Sequence, residues 1–251
     1  MKDEKVLAYC NLFGVLGAIP TLLDTVPEAR EAVGDKKISI GFAVKDGPRA
    51  TLAIENGQAE MREGIDKCSI KLYFASCKKF NDMIDGKGNP LPVSGFQHLG
   101  FLLGGFTKLT DLLSDYLRPV PEKLNDPGFF ERSTALMLHV IAGAVAEVGN
   151  HDKVGMFSAS NIVDGVIKLT IGDAYRVGVK AENHRLTAIH SDPGEGFSEM
   201  QFDSLTTARD LFDGKINAVA AVGMGKVRIG GMISQVDNVN RILDRVSLYL
   251  A

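Results

Sequence analysis

The feature that most constrains this chain is that it repeats itself. Residues 74–87, Phe-Ala-Ser-Cys-Lys-Lys-Phe-Asn-Asp-Met-Ile-Asp-Gly-Lys, align without a gap on residues 202–215, Phe-Asp-Ser-Leu-Thr-Thr-Ala-Arg-Asp-Leu-Phe-Asp-Gly-Lys. Six of these fourteen positions are identical, where ordinary composition would supply about one. The offset of 128 is about half of the 251 residues. Upstream, Asp46-x-x-Arg49 with Glu55-Asn56 matches Asp173-x-x-Arg176 with Glu182-Asn183, and downstream Gly104-Gly105 matches Gly230-Gly231. Anchors in one order at nearly one offset imply two copies of one unit. The copies are expected to superpose over residues 36–118 and 162–250, within domains spanning 1–120 and 126–251, each of a size that buries its own core.

Hydrophobic period gives each copy its elements. Residues 38–45, 49–55 and 58–62 are short strand-like runs separated by Asp46-Gly47 and Asn56-Gly57, dipeptides suited to tight hairpins. The second copy has equivalent runs near 161–171, 175–181 and 185–190. A fourth strand, Ser69–Phe74 or Ser198–Phe202, runs into a helix that Ser204 is placed to cap. Leu205, Ala208, Leu211 and Phe212 share one face of that helix, as do Cys77, Phe80, Met83 and Ile84 in copy one. Gly86 and Gly214 stand where a glycine ends a helix. A strand over Lys226–Ile229 and a helix with Val236, Val239, Ile242, Leu243, Val246 and Leu250 on its apolar stripe follow. Apolar helices near 5–18 and 129–149 open the two copies, the second preceded by a proline-bearing linker, Arg118–Pro127. The fold class is therefore α+β, with one mainly antiparallel, helix-covered sheet of five strands per copy.

Composition narrows the partners. Hydrophobic residues make up 45% and charged residues 24% of the chain, as in a packed globular protein. A net charge of −3, no basic block and no Trp argue against nucleic acid, and no polybasic stripe points to a charged membrane. The longest apolar runs, Leu12–Ile19 and Ala135–Val148 (the latter interrupted by His139), fall short of the ~18 residues that span a bilayer. No stable membrane insertion is expected. Asp3 and Glu4 spoil the positive start of a secretory signal, and Cys10, Cys68 and Cys77 form no CxxC pair. Free thiols in the cytoplasm are the expectation.

With this order of elements the second copy resembles the sterol carrier protein 2 (SCP-2) domain family. The resemblance is carried by Met200-Gln-Phe202, by Leu211-Phe-Asp-Gly-Lys-Ile-Asn217, by Gly225-Lys-Val-Arg-Ile-Gly-Gly231 and by the final helix, over about 90 residues from Val166 onward. Copy one departs after Lys87, where Gln97–Gly104 stands in place of Gly225–Gly230 and Pro90 and Pro92 interrupt the preceding loop. The resemblance implies two SCP-2-like domains that hold a fatty acyl chain or sterol-like lipid non-covalently in an apolar tunnel, with no cofactor and no chemistry. The lining is then expected from Phe202, Leu211, Phe212, Met224, Ile229 and Met232 in copy two, with Phe74, Phe80 and Met83 in copy one. The better-formed cavity is expected in copy two. A duplicated interaction protein without a cavity is the alternative, and a homodimer is left open.

No residue pattern favours catalysis. There is no Gly-x-Ser-x-Gly elbow, and the glycine pairs lack the strand-turn-helix context of a dinucleotide site. Glu147, His151 and Asp152 could begin a metal site but lack a spaced third ligand, so solvated residues at a helix end are expected. His184 and His190 read as surface residues, and Cys77, opposite Leu205 of copy two, as a packing cysteine. No catalytic residue, metal or cofactor is expected.

Overall fold

The structure, a computed structural model, describes residues 2–65, 67–88, 90, 92–196 and 198–250. The chain divides into two compact units, Met1–Asn125 and Asp126–Ala251.

The first unit opens with a helical stretch, α1 (Glu4–Tyr9) and α2 (Ile19–Thr25), joined by a π-helical turn at Cys10–Val15 and a 3-10 turn at Leu16–Ala18. Asp3 caps α1 by accepting from the Lys5 amide at 2.8 Å. After α3 (Pro27–Val33) come β1 (Lys37–Val44), β2 (Arg49–Glu55), β3 (Gln58–Glu63) and β4 (Ile70–Phe74), then α4 (Cys77–Ile84) and β5 (Pro92–Ser94). Helix α5 (Leu99–Phe101), a π turn at Leu102–Phe106 and α6 (Thr107–Leu117) complete it. The second unit has α7 (Pro127–His151), α8 (Lys153–Ala159), β6 (Gly165–Ile171), β7 (Tyr175–Glu182), β8 (Arg185–Ile189) and β9 (Ser198–Phe202). It ends with α9 (Leu205–Phe212), α10 (Ala218–Gly223), β10 (Val227–Gly231) and α11 (Ile233–Leu250).

The two sheets share one topology. Their orders are β3-β2-β1-β4-β5 and β8-β7-β6-β9-β10. In each, the central pair (β1 with β4, β6 with β9) is parallel and the other pairings are antiparallel, so both sheets are mixed. The registers equate Ile40, Phe42 and Val44 with Ile167, Leu169 and Ile171, and Ile70, Leu72 and Phe74 with Ser198, Met200 and Phe202.

The matched sequence anchors fall on matched local structure. Ser76 and Ser204 each cap a helix by accepting from the amide three residues on, both at 3.2 Å. The Asp-Gly-Lys steps close those helices identically: Gly86 and Gly214 have φ of 72° and 69°. The Lys87 and Lys215 amides reach back five residues to the Asp82 and Asp210 carbonyls at 2.8 Å, the closing bond of a Schellman motif. The hairpins at Asn56-Gly57 and Asn183-His184 each have both central residues at positive φ, as a type I′ turn requires. His184 at φ 63° bears a Cβ that Gly57 does not. His184→Gly should therefore stabilise the second unit by about 0.5–1 kcal/mol, seen as a higher urea midpoint at unchanged m-value.

Two expectations need correction, and three short helices were not expected. Gly104-Gly105 lies in a π-helical turn and Gly230-Gly231 ends a strand, so these pairs are not equivalent. The counterpart of β10 is β5, which starts at Pro92, a position an edge strand tolerates because it needs no amide there. Next, the helical stretches Glu4–Thr25 and Pro127–His151 are long and apolar enough by composition to cross a membrane, although 67% and 61% of their apolar windows are buried within the protein. Counting uninterrupted apolar runs missed this, because helices continue through Thr, Ser and His. Finally, α3, α8 and α10 carry too few residues to show a period.

Candidate functional site

In the second unit the inner face of the sheet gathers Leu169, Ile171, Val177, Met200 and Phe202 with Leu138 and Ala142 of α7 and Val236 of α11. Helix α9 lies over its end. Its Phe212 ring meets Phe202 edge-on, with centroids 5.7 Å apart and planes at 76°, while Leu205 and Leu211 pack half-buried on the same cluster. Phe202, Leu211 and Phe212 thus come together in one apolar cluster.

The other three expected residues lie elsewhere. Strand β10 sits at the sheet edge, with Val227 opposite Phe202 and Ile229 opposite Met200. Strand alternation turns Val227 and Ile229 to the core face. Val227 is buried, yet Ile229 is 43% exposed. Met224, which ends α10, and Met232, just before α11, are exposed as well. Met224, Ile229 and Met232 are therefore exposed rather than parts of a buried wall, and Ile229 marks an apolar rim where the core face of the edge strand reaches solvent.

The first unit is closed at the equivalent place. Pro92 of β5, opposite Leu72, is buried. Phe42 replaces Leu169 at the centre of the sheet; it is fully buried and packs against Phe106 with centroids 6.2 Å apart. Phe74 and Phe80 meet edge-on at 5.1 Å, as Phe202 and Phe212 do, and Met83 is half-buried.

Polar side chains tie the helices together. In the first unit Asn11 donates to Asn81 Oδ1 at 3.0 Å, and Asn81 donates to the Glu4 carbonyl at 2.9 Å. In the second unit the residue 128 positions on, Arg209, donates to Ser133 Oγ at 2.8 Å and pairs with Asp213 at 2.9 Å. Both link the α4 or α9 helix to the first helix of the unit.

Several titratable groups are tied into the packing of the second unit. Asp152 is buried and caps α8 through the Val154 and Gly155 amides, both at 3.0 Å. It also receives Arg245 Nη2 at 2.8 Å and the Tyr249 hydroxyl at 2.7 Å. Burial pushes its carboxyl up, but the hydrogen bonds from Arg245, Tyr249 and Gly155 outweigh this and hold it at about 2. His151 lies 3.3 Å from Glu147, neither well exposed. The expectation of solvated residues fails here because α11 covers this helix end. His190 is likewise not a surface residue. It stacks on His139 of α7 at 5.5 Å, with Nδ1 atoms 3.3 Å apart. Burial lowers both histidines, and the charge of His190 lowers His139 further, to about 4. Burial raises the Cys77 thiol, which leaves it a weak nucleophile. Among the described residues no group of three His, Cys, Asp or Glu could hold a metal.

No family model and no curated protein matches this chain. The solved structures similar to it include sterol carrier protein 2 domains. The SCP-2 domain 2 of Helicoverpa armigera is 13% identical, over 45% of this chain and 88% of that one, with a TM-score of 0.35. A structure described as "UbiJ-SCP2 Ubiquinone synthesis protein" is 14% identical over 43% and 95%, at 0.34. The apo SCP-2 of Yarrowia lipolytica is 16% identical over 40% and 91%, at 0.31.

Proposed function

We propose that the second unit binds and carries an elongated apolar molecule, a fatty acyl chain or sterol-like lipid, without acting on it chemically, in the cytoplasm. The observation that carries this is Ile229, a core-face residue of the edge strand that stays 43% exposed and is flanked in sequence by the exposed Met224 and Met232. An apolar core face reaching solvent, with two flexible, polarizable methionines close in sequence, suits a guest that continues the core outward. The chain would enter along Ile229 toward Met200, Leu169, Phe202 and Phe212, with its head group left in water at the rim. Each buried methylene contributes ~0.8 kcal/mol, so a dozen contribute ~10 kcal/mol before the cost of immobilising the chain. The first unit, filled by Phe42 and Phe106 and closed by Pro92, has the supporting role in a tandem pair.

Native mass spectrometry of the purified protein tests this reading directly. One retained lipid per chain, or one fluorescent fatty acid taken up at micromolar concentration, is expected. A protein that binds neither is an interaction domain, and the carrier reading fails.

A further inference from the structure

Thr134 of α7 is fully buried, and among the described residues its Oγ1 is the one buried side-chain oxygen or nitrogen without a hydrogen-bond partner. A threonine inside a helix has a local bond at hand, to the carbonyl three or four residues back. Thr25 donates to the Thr21 carbonyl at 2.7 Å and Thr110 to the Phe106 carbonyl at 3.2 Å. Thr134 does not, so its hydroxyl is left in the packed interior without the bond that buried hydroxyls ordinarily make. Other buried polar side chains of the second unit are served: Ser133 accepts from Arg209, Ser198 donates to Gln235, and Thr207 accepts from Ser204. In the first unit the buried Asn11 and Asn81 are bonded to each other.

Thr134 stands one turn before Leu138, and residues four apart share a helix face. It therefore lies on the side of α7 that gives Leu138 and Ala142 to the core cluster. Its neighbour Ser133 is tied to Arg209, the residue after Ala208 of that cluster. The orphaned hydroxyl thus belongs to the end of the core that α9 covers, where Phe202 and Phe212 meet. We infer that Thr134 is the inner polar contact of the guest, and that the guest carries one uncharged hydroxyl at the end that enters first. An acyl chain hydroxylated at its far end, or a sterol entering by its hydroxyl, has this chemistry. The inference rests on the carrier reading above and names its ligand class. A threonine hydroxyl both donates and accepts, so it suits an alcohol, which does the same. A carboxylate is disfavoured there. The neighbouring cation, Arg209, is already paired with Asp213 at 2.9 Å, and an uncompensated charge in an apolar core is far costlier than a hydroxyl. A charged head group, where the guest has one, stays at the rim by Ile229.

Displacement of a fluorescent fatty acid from the full chain tests this with two matched pairs, ω-hydroxypalmitic against palmitic acid and cholesterol against cholestane. The wild type is expected to prefer the hydroxylated member of at least one pair by about tenfold, the contribution of one buried hydrogen bond. Which pair shows the preference tells an acyl chain from a sterol. Thr134→Val keeps the shape of the side chain and loses its oxygen. In that variant the two members of each pair should bind alike. Without ligand it should withstand urea as well as the wild type or better, since no bond of the fold is lost. A wild type that prefers neither hydroxylated compound, or a preference that survives in Thr134→Val, overturns the inference and leaves the carrier reading standing. So does a Thr134→Val protein that unfolds at clearly lower urea, which would show the hydroxyl to be satisfied in the unliganded protein. A wild type that binds none of the four compounds removes the carrier reading and this inference with it.

Discussion

Leu169→Phe is expected to abolish uptake of a fluorescent fatty acid while leaving the second unit folded. Leu169 sits at the centre of the core face, beside Met200 on the parallel strand. The first unit places Phe42 at the equivalent position, where the ring is accommodated without exposure. A phenylalanine in the second unit would take the volume that the proposed guest needs. Overpacking typically costs ~1–3 kcal/mol, which a unit of this size survives. Titration by fluorescence, with far-UV circular dichroism as the control, reads the result. Phe42→Leu in the first unit should leave uptake unchanged and lower stability by about 1 kcal/mol. A folded Leu169→Phe protein that binds as tightly as the wild type would move the ligand away from this sheet. Met224, by contrast, is a poor place to block the site, because a larger side chain on the exposed rim can turn outward.

The largest stability effect is expected at Asp152. Its carboxylate caps α8 and holds Arg245 and Tyr249 of α11, so Asp152→Ala removes a helix cap and takes away the bonds that Arg245 and the Tyr249 hydroxyl make to it. Arg245 keeps some solvent, which places the loss near the lower end of the range for a broken buried pair, about 3 kcal/mol. The pH dependence has a definite sign. The carboxyl titrates at about 2 in the folded protein against an ordinary 3.8. Its contribution is therefore complete above pH 4 and lost as the pH falls from there toward 2. The shift corresponds to about 2 kcal/mol. Asp152→Asn should lower stability at neutral pH and flatten this acid limb in urea titrations. An acid limb unchanged in Asp152→Asn would assign it to other carboxylates.

What the sequence made legible was local chemistry. Ser204 as a cap, and Gly86 and Gly214 as helix ends, act on backbone groups within five residues, so both ends of each interaction lie in one short window. Strand alternation likewise marks Leu169, Met200 and Phe202 as inward-facing. What stayed hidden joins distant residues. His139 meets His190 across 51 positions and Asp152 meets Arg245 across 93, and nothing near either partner signals the other. The rim was half legible. Alternation points Ile229 to the core face, but no period tells whether a helix covers a residue at the edge of the sheet. Pro90 and Pro92 misled because prolines read as loop, while an edge strand can begin on one.

Strand β10 has a neighbour on one side only. Among the described residues no strand pairs with its other side, so this edge is expected to open more readily than the strands within the sheet, ahead of any global unfolding. Its amides are expected to exchange with solvent hydrogen ahead of those of β6 and β7. The proposed mouth thus needs no dedicated lid, because fraying of one short edge gives access. The same edge is a hazard for chain-to-chain pairing, which its five-residue length, Arg228 and the terminal Gly230-Gly231 restrain by giving an incoming strand little to extend.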